Sequence, residues 1–183
     1  MAKIRKPKVT KSELSQTINL KEIFGKNFKN QPALKEAIGQ ALIDKMVDRT
    51  QSGKSVTGKN LKSPYSKQYA DTLEFKAAGK SKGNVNMTLT GDMLRSIDIL
   101  DVGANTITIG IDDPDEAPKS FNHQTGDTVP RRPFFGVQVK EVNEVEREFR
   151  SELNQAFKKR GENRSSAIEA FLLQLLRDTD GEG

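Results

Sequence analysis

One histidine, His123, and a cluster of carboxylates, Asp112, Asp113, Asp115 and Glu116, are the side chains most readily put to chemical use. A single imidazole cannot build a two-histidine metal centre or a triad with a second histidine, so a loop hydrogen bond is its expected role. The carboxylates are hard oxygen donors suited to a divalent cation. Their spacing fails the calcium-loop pattern, because Pro114 intrudes and no glycine follows where that loop turns. A turn at the end of a hairpin accounts for them better. Gly53-Lys54-Ser55 resembles the end of a phosphate-binding loop, but position 48, where its first glycine belongs, is Asp, and a helical pattern precedes it instead of a strand. The chain has no cysteine, which removes thiol nucleophiles, disulfides and cysteine-held metals. No pattern places two carboxylates together in a pocket. These residues argue against an enzyme, and no catalytic residue, cofactor or metal is expected.

The stretch Arg131-Arg132-Pro133-Phe134-Phe135-Gly136 is of another kind. Two adjacent phenylalanines in a loop must be buried by something. The chain's own core would make them an anchor; a partner would make them an interface hot spot, where aromatic and arginine side chains concentrate binding energy. Both readings satisfy the same rule. The candidate interaction residues are therefore Phe121, His123, Arg131, Arg132, Phe134 and Phe135, with Lys3, Arg5, Lys6 and Lys8 from the basic N-terminus.

The elements that hold these residues follow from periodicity. Residues 1–12 carry four Lys and one Arg, with only Ile4 and Val9 as sizeable apolar side chains after Met1, and read as a flexible arm. Leu14, Ile18, Leu20, Ile23, Phe24 and Phe28 suggest a short helix ending near Gly25. Pro32 opens a helix over 32–51, whose stripe is Leu34, Ala37, Ile38, Ala41, Leu42 and Met46. Residues 53–88 are polar and glycine-punctuated, with Tyr65 and Tyr69 four apart. Thr90 can cap a short helix over 92–96. Ile97 and Ile99, the turn Gly103-Ala104-Asn105, and then Ile107, Ile109 and Ile111 in alternation make a hairpin. Residues 112–136 read as one long irregular loop. A helix over about 141–159 sets Val142, Val145, Phe149 and Leu153 against Glu141, Glu144, Glu148 and Glu152. A last helix over about 166–177 starts with the capping pattern Ser166-x-x-Glu169 and carries Ile168, Phe171, Leu172, Leu175 and Leu176. The expected fold is α+β: a β-hairpin or small antiparallel sheet packed on two long amphipathic helices. One domain over 13–177 lies between the arm and a disordered tail, 178–183.

Composition bounds the class. The chain has 183 residues, 30 basic and 25 acidic, with 34% hydrophobic content. Leu, Ile, Val and Phe make up about 24% of it, above the roughly 20% level that marks disorder. No apolar run approaches the roughly 18 residues of a membrane span, and the basic start lacks the apolar core of a leader. The net charge of +5 is split: residues 1–82 hold 18 basic and 7 acidic side chains, residues 83–183 hold 12 and 18. The basic half is almost all lysine. Such a half can bind nucleic acid through phosphate contacts, the alternative function, but it lacks the arginines and aromatic platforms of a dedicated reader.

Three segments, in order, resemble the phage virion-morphogenesis and tail-completion family, the group of Mu protein G-like and lambda minor tail protein Z-like neck proteins. The first is Thr57-Gly58-Lys59-Asn60-Leu61-Lys62-Ser63-Pro64-Tyr65-Ser66-Lys67-Gln68-Tyr69. The second is Leu89-Thr90-Gly91-Asp92-Met93-Leu94-Arg95-Ser96-Ile97. The third runs from Phe121-Asn122-His123-Gln124-Thr125-Gly126 to Pro130-Arg131-Arg132-Pro133-Phe134-Phe135-Gly136. Leu61 stands where the family usually has an aromatic, and neither loop 76–82 nor the C-terminal helix fits its pattern. The resemblance implies a structural protein of the phage head–tail junction, assembled as a ring in the host cytoplasm and retained in the virion. Its implied partners are other copies of itself, head-completion or connector proteins, and tail terminator or tail-tube proteins, with packaged DNA nearby and no membrane. Loop 112–136 and the basic arm are the expected contact surfaces. The arm would meet an acidic surface, such as the Glu-rich 141–152 face of a neighbouring copy.

Overall fold

A computed structural model describes residues 4–24, 28, 31–61, 64–83, 85–87 and 91–160, with 152–160 as backbone. The fold is α+β, built on a four-stranded antiparallel sheet. Its strands are β1 (Lys8–Thr10), β2 (Glu13–Asn19), β3 (Ile97–Val102) and β4 (Thr106–Ile111), in the order β1-β2-β4-β3. The β3–β4 pair is the expected hairpin, with a register shift between Ile99 and Asp101 that leaves Leu100 as the extra residue of a bulge.

Alternation sets the faces. Gln16 lies opposite Ile109 and Ile18 opposite Ile107, so Leu14, Gln16 and Ile18 share a face with Ile107, Ile109 and Ile111, and that face is buried. On the other face the Thr17 and Thr108 hydroxyls meet at 3.0 Å in an exposed pair.

The helix α1 (Leu20–Phe24) follows β2 directly, and α2 (Pro32–Gln51) has the bounds the sequence predicts. α2 packs across β3 and β4, burying Leu34, Ile38, Leu42, Ile43 and Met46. Gly39 permits the approach: a methyl added there would lie 2.6 Å from Ile99 Cδ1. Lys35, inside this apolar stripe, is buried and donates to the carbonyl of Gly103 at 2.6 Å, tying the start of α2 to the hairpin turn. Three short helices follow: α3 (Lys67–Ala70), α4 (Leu73–Ala77) and α5 (Asp92–Arg95). Then come α6 (Ala117–Thr125) and the long α7 (Val139–Arg160).

α7 packs against α2 and α1, with Val142, Val145 and Phe149 buried. It runs antiparallel to α2, because Glu141 pairs with Arg49 and, two turns on, Glu148 pairs with Lys45. The Arg49–Glu141 pair is buried on both sides, and Arg49 also donates to the carbonyls of Phe134 (2.6 Å) and Gly136 (3.0 Å).

The fold corrects four expectations. Residues 14–18 form a strand, not a helix; the helix starts at Leu20. The arm is not free along its length: β1 pairs with β2, Ile4 packs on the core, and the carbonyl of Arg5 accepts from buried Gln16 at 2.7 Å. The 112–136 stretch is not irregular throughout, because nine of its residues form α6. The acidic row of α7 is not a free face either, since Glu141 is buried against Arg49 and Glu148 is held by Lys45. Lys3, the Thr90 cap, the 166–177 helix and the 178–183 tail lie outside the described residues.

Candidate interaction cleft

The long segment after the hairpin folds from its turn chemistry upward. Asp113 accepts the Asp115 backbone N–H at 2.7 Å, a local turn that leads into α6. Pro118 sits in the first turn of α6, where its missing N–H is harmless. Gly126, at φ +84°, ends the helix in the left-handed conformation that glycine adopts without strain. The chain then doubles back, and Arg132 N–H donates to the carbonyl of His123 at 2.7 Å.

Gln124 fixes the returning strand of chain. Its Oε1 accepts from the N–H groups of both Phe134 and Phe135 at 3.1 Å, and its Nε2 donates to the carbonyl of Phe135 at 3.0 Å. Both rings are fully buried, 6.4 Å apart and edge to face. Phe134 and Phe135 are therefore core anchors, and their candidacy as exposed interface residues is corrected: the chain supplies the burial they need.

On the outer side of this loop lies a cleft of about 860 Å³. Lys119, Asn122 and His123, at positions i, i+3 and i+4 of α6, line one wall. Pro64, Tyr65, Ser66 and Tyr69 line the facing wall, and Gly91, Asp92 and Met93, at the start of α5, close one end. Arg132 lies between the walls, buried, with its guanidinium 5.1 Å from the centre of the Tyr65 ring. Tyr65, Tyr69 and Phe75 form a cluster with ring centres 5.2–5.3 Å apart. Ser66 and Thr72 cap α3 and α4 by accepting from the N–H groups of Tyr69 and Phe75. The Tyr65 hydroxyl accepts from Met87 N–H at 3.0 Å, and Lys80 stands 5.7 Å over its ring.

Burial governs the charges here. Desolvation, and then the neighbouring Arg132 cation, push His123 down to about 4, so the imidazole is neutral at physiological pH. Desolvation also lowers Arg132 and Lys80 and raises Tyr69. Glu116 is held by Lys119. The surface is thus largely apolar and aromatic with cations at its margins, suited to receiving a partner's side chains. The four clustered carboxylates sit beside it around an open concavity of about 540 Å³ that they share with Asp92, Asp98, Arg95 and Lys119. Among the described residues, no three Asp, Glu or His side chains converge as metal ligands.

The candidate residues therefore separate. His123 and Arg132 meet in the cleft. Phe121 is half-buried against the core, and Arg131 is exposed and donates to the carbonyl of Gln124 at 3.4 Å. Arg5, Lys6 and Lys8 are exposed at the β1 end, where Lys8 pairs with Glu13, and they do not line the cleft. Gln124, Tyr65 and Tyr69 belong to the site although no chemical motif marks them. The tyrosine spacing was the available signal; nothing in the sequence singled out Gln124. Comparison of the chain with family models, curated proteins and solved structures finds no match. No helix among the described residues is long and apolar enough to cross a membrane.

Proposed function

We propose that the protein is a structural component of a phage head–tail junction, assembling as a ring and acting by binding its neighbours. One observation carries this reading beyond the resemblance itself. The three resembling segments, far apart in the chain, contribute Pro64 to Tyr69, Gly91 to Met93, and His123 with Arg132 to one cleft. Segments that share a family pattern and a single concave surface fit a common binding task. The side chains there suit binding: a half-buried neutral imidazole, a carboxylate held by lysine, and an arginine over the face of a tyrosine.

The test is to add the purified protein to tailless heads and headless tails prepared without it, and to score joined particles by electron microscopy. Joining is expected, together with a closed ring of the protein alone. A monomer that joins nothing would overturn the proposal.

A second reading rests on residues 53–87, which carry seven lysines against Asp71 and Glu74. Such a lobe attracts phosphate. Retention on duplex DNA at physiological salt, falling steeply as salt rises, would favour nucleic acid as the main partner.

A further inference from the structure

The cleft and the end of α7 lie at opposite ends of the molecule. Arg49, in the last turn of α2, binds residues 134, 136 and 141, so α7 starts at the C-terminal end of α2. The chain leading from that end, residues 53–69, supplies the Tyr65 wall of the cleft. α7 then runs back along α2, past Lys45 to Arg150, whose guanidinium donates to the carbonyl of Phe24. At 1.5 Å per residue, Arg160 lies about 32 Å from Val139.

Beyond Arg160 the sequence continues with a short link, 161–165, and then the stripe Ile168, Phe171, Leu172, Leu175 and Leu176. At helical spacing these five side chains share one face. For that face to reach its own cleft, the link would have to extend fully and run straight back along α7. Even then it spans only about 20 Å, and Leu172 would arrive only about level with Val139. A second copy meets no such limit.

Charge points the same way. Residues 161–183 carry five acidic side chains and two basic ones, while the 53–87 lobe that walls the cleft carries seven lysines and two acids. Two of these lysines are placed at the tyrosine wall: Lys80 stands over the Tyr65 ring, and the Lys82 carbonyl accepts from Tyr65 N–H at 3.1 Å.

We propose that residues 166–177 of one copy form a helix seated in the cleft of the next, apolar stripe inward and acidic flanks against the lysine-rich lobe. The contact joins opposite ends of the molecule, so it is head-to-tail, the type that closes into a ring when the rotation between copies allows. It rests on the ring reading above and names the surfaces that would make the ring.

The absence of cysteine makes the test direct. Leu172→Cys in an affinity-tagged chain and Val129→Cys, at the cleft, in an untagged chain are mixed and treated with copper–phenanthroline. A reducible tagged–untagged dimer is expected in at least tenfold excess over the homodimers of either variant alone. Three results would overturn the proposal: no such dimer, homodimers formed equally well, or, in the chain carrying both substitutions, an internal disulfide in place of dimers. The second measurement uses Leu172→Asp with Leu175→Asp, expected to weaken self-association at least tenfold at an unchanged melting temperature. Undiminished self-association would count against the contact. Rings that persist without the cross-link would remove this contact and leave the junction function standing.

Discussion

Phe134 and Phe135 show how a composition rule can be right about burial and silent about what does the burying. Two adjacent aromatics in a polar stretch had to be covered, and Gln124, one turn beyond Phe121, holds them in the chain's own core through both backbone N–H groups. Their removal is therefore expected to damage folding before it touches any partner. Phe134→Ala should cost about 3–5 kcal/mol, read as a lower denaturant midpoint with an unchanged slope; a change under 1 kcal/mol would return the ring to the interface. His123 was legible as a lone imidazole without a metal partner, but its environment was not, because Arg132 and the tyrosine wall reach it only through the tertiary fold. Its folded pKa of about 4 lies below the ordinary 6.5, so between these values the unfolded chain holds the extra proton. The contribution is fully present above about pH 6.5 and is lost as pH falls toward 4, roughly 3 kcal/mol in all. His123→Gln should flatten that part of the stability–pH curve, and an unchanged slope would show that the imidazole is not desolvated.

At the scale of elements, legibility followed locality. α2 was readable to the residue because its stripe, its opening Pro32 and the stop after Gln51 are all local signals, and the β3–β4 hairpin was readable because its turn and alternation adjoin. β2 was missed for a physical reason. Leu14 and Ile18 are four apart, which suits a helix face, and the polar Gln16 between them is buried only because Arg5 and Val137, both remote in sequence, satisfy its amide. One of its two ladder partners, β4, is about ninety residues away, and the other, β1, is only three residues long. α6 was hidden by composition, since Pro118, Asn122, His123 and Thr125 are poor or neutral helix formers and the element persists by packing on β2 and α5. The α2–α7 pairing depends on one buried cation whose loss strands three acceptors. Arg49→Ala leaves Glu141 buried without its partner and should cost about 3–5 kcal/mol, whereas Lys45→Ala, at the more exposed Lys45–Glu148 pair, should cost no more than about 1 kcal/mol. Equal losses in thermal melts of the two variants would contradict this ranking.

For the whole molecule, the charge split acquires a location. The basic half is not a free arm: its first strand is in the sheet, and seven of its lysines fall in the 53–87 stretch, of which Lys80 stands over the Tyr65 ring of the cleft. Within the acidic half, α7 engages Glu141 and Glu148 with α2, while Asp98, Asp112, Asp113 and Asp115 stay exposed. Exposed charge remains on both sides of this balance, with Lys80 at the tyrosine wall and Asp112, Asp113 and Asp115 around the neighbouring concavity. Association through exposed charges is screened by salt, while the buried Arg49–Glu141 pair is screened much less. Self-association measured by sedimentation should therefore weaken at least severalfold between about 0.05 and 0.5 M salt, with the monomer's melting temperature nearly constant. Salt-insensitive association would assign the contact to apolar burial alone.

The bulge at Leu100 has a further consequence, one that bears on the proposed ring. β3 is the outermost strand on its side of the sheet, and a flat outer strand invites a second molecule to extend the ladder without limit. Here the extra residue kinks that margin, Asp98 and Asp101 are exposed along it, and the Asp98 carboxylate occupies the Ile99 N–H at 2.6 Å. Negative charge and broken pairing make β3 a poor template for strand-on-strand growth. Copies brought together at high local concentration are thereby discouraged from the open-ended stacking that would compete with a closed, counted assembly.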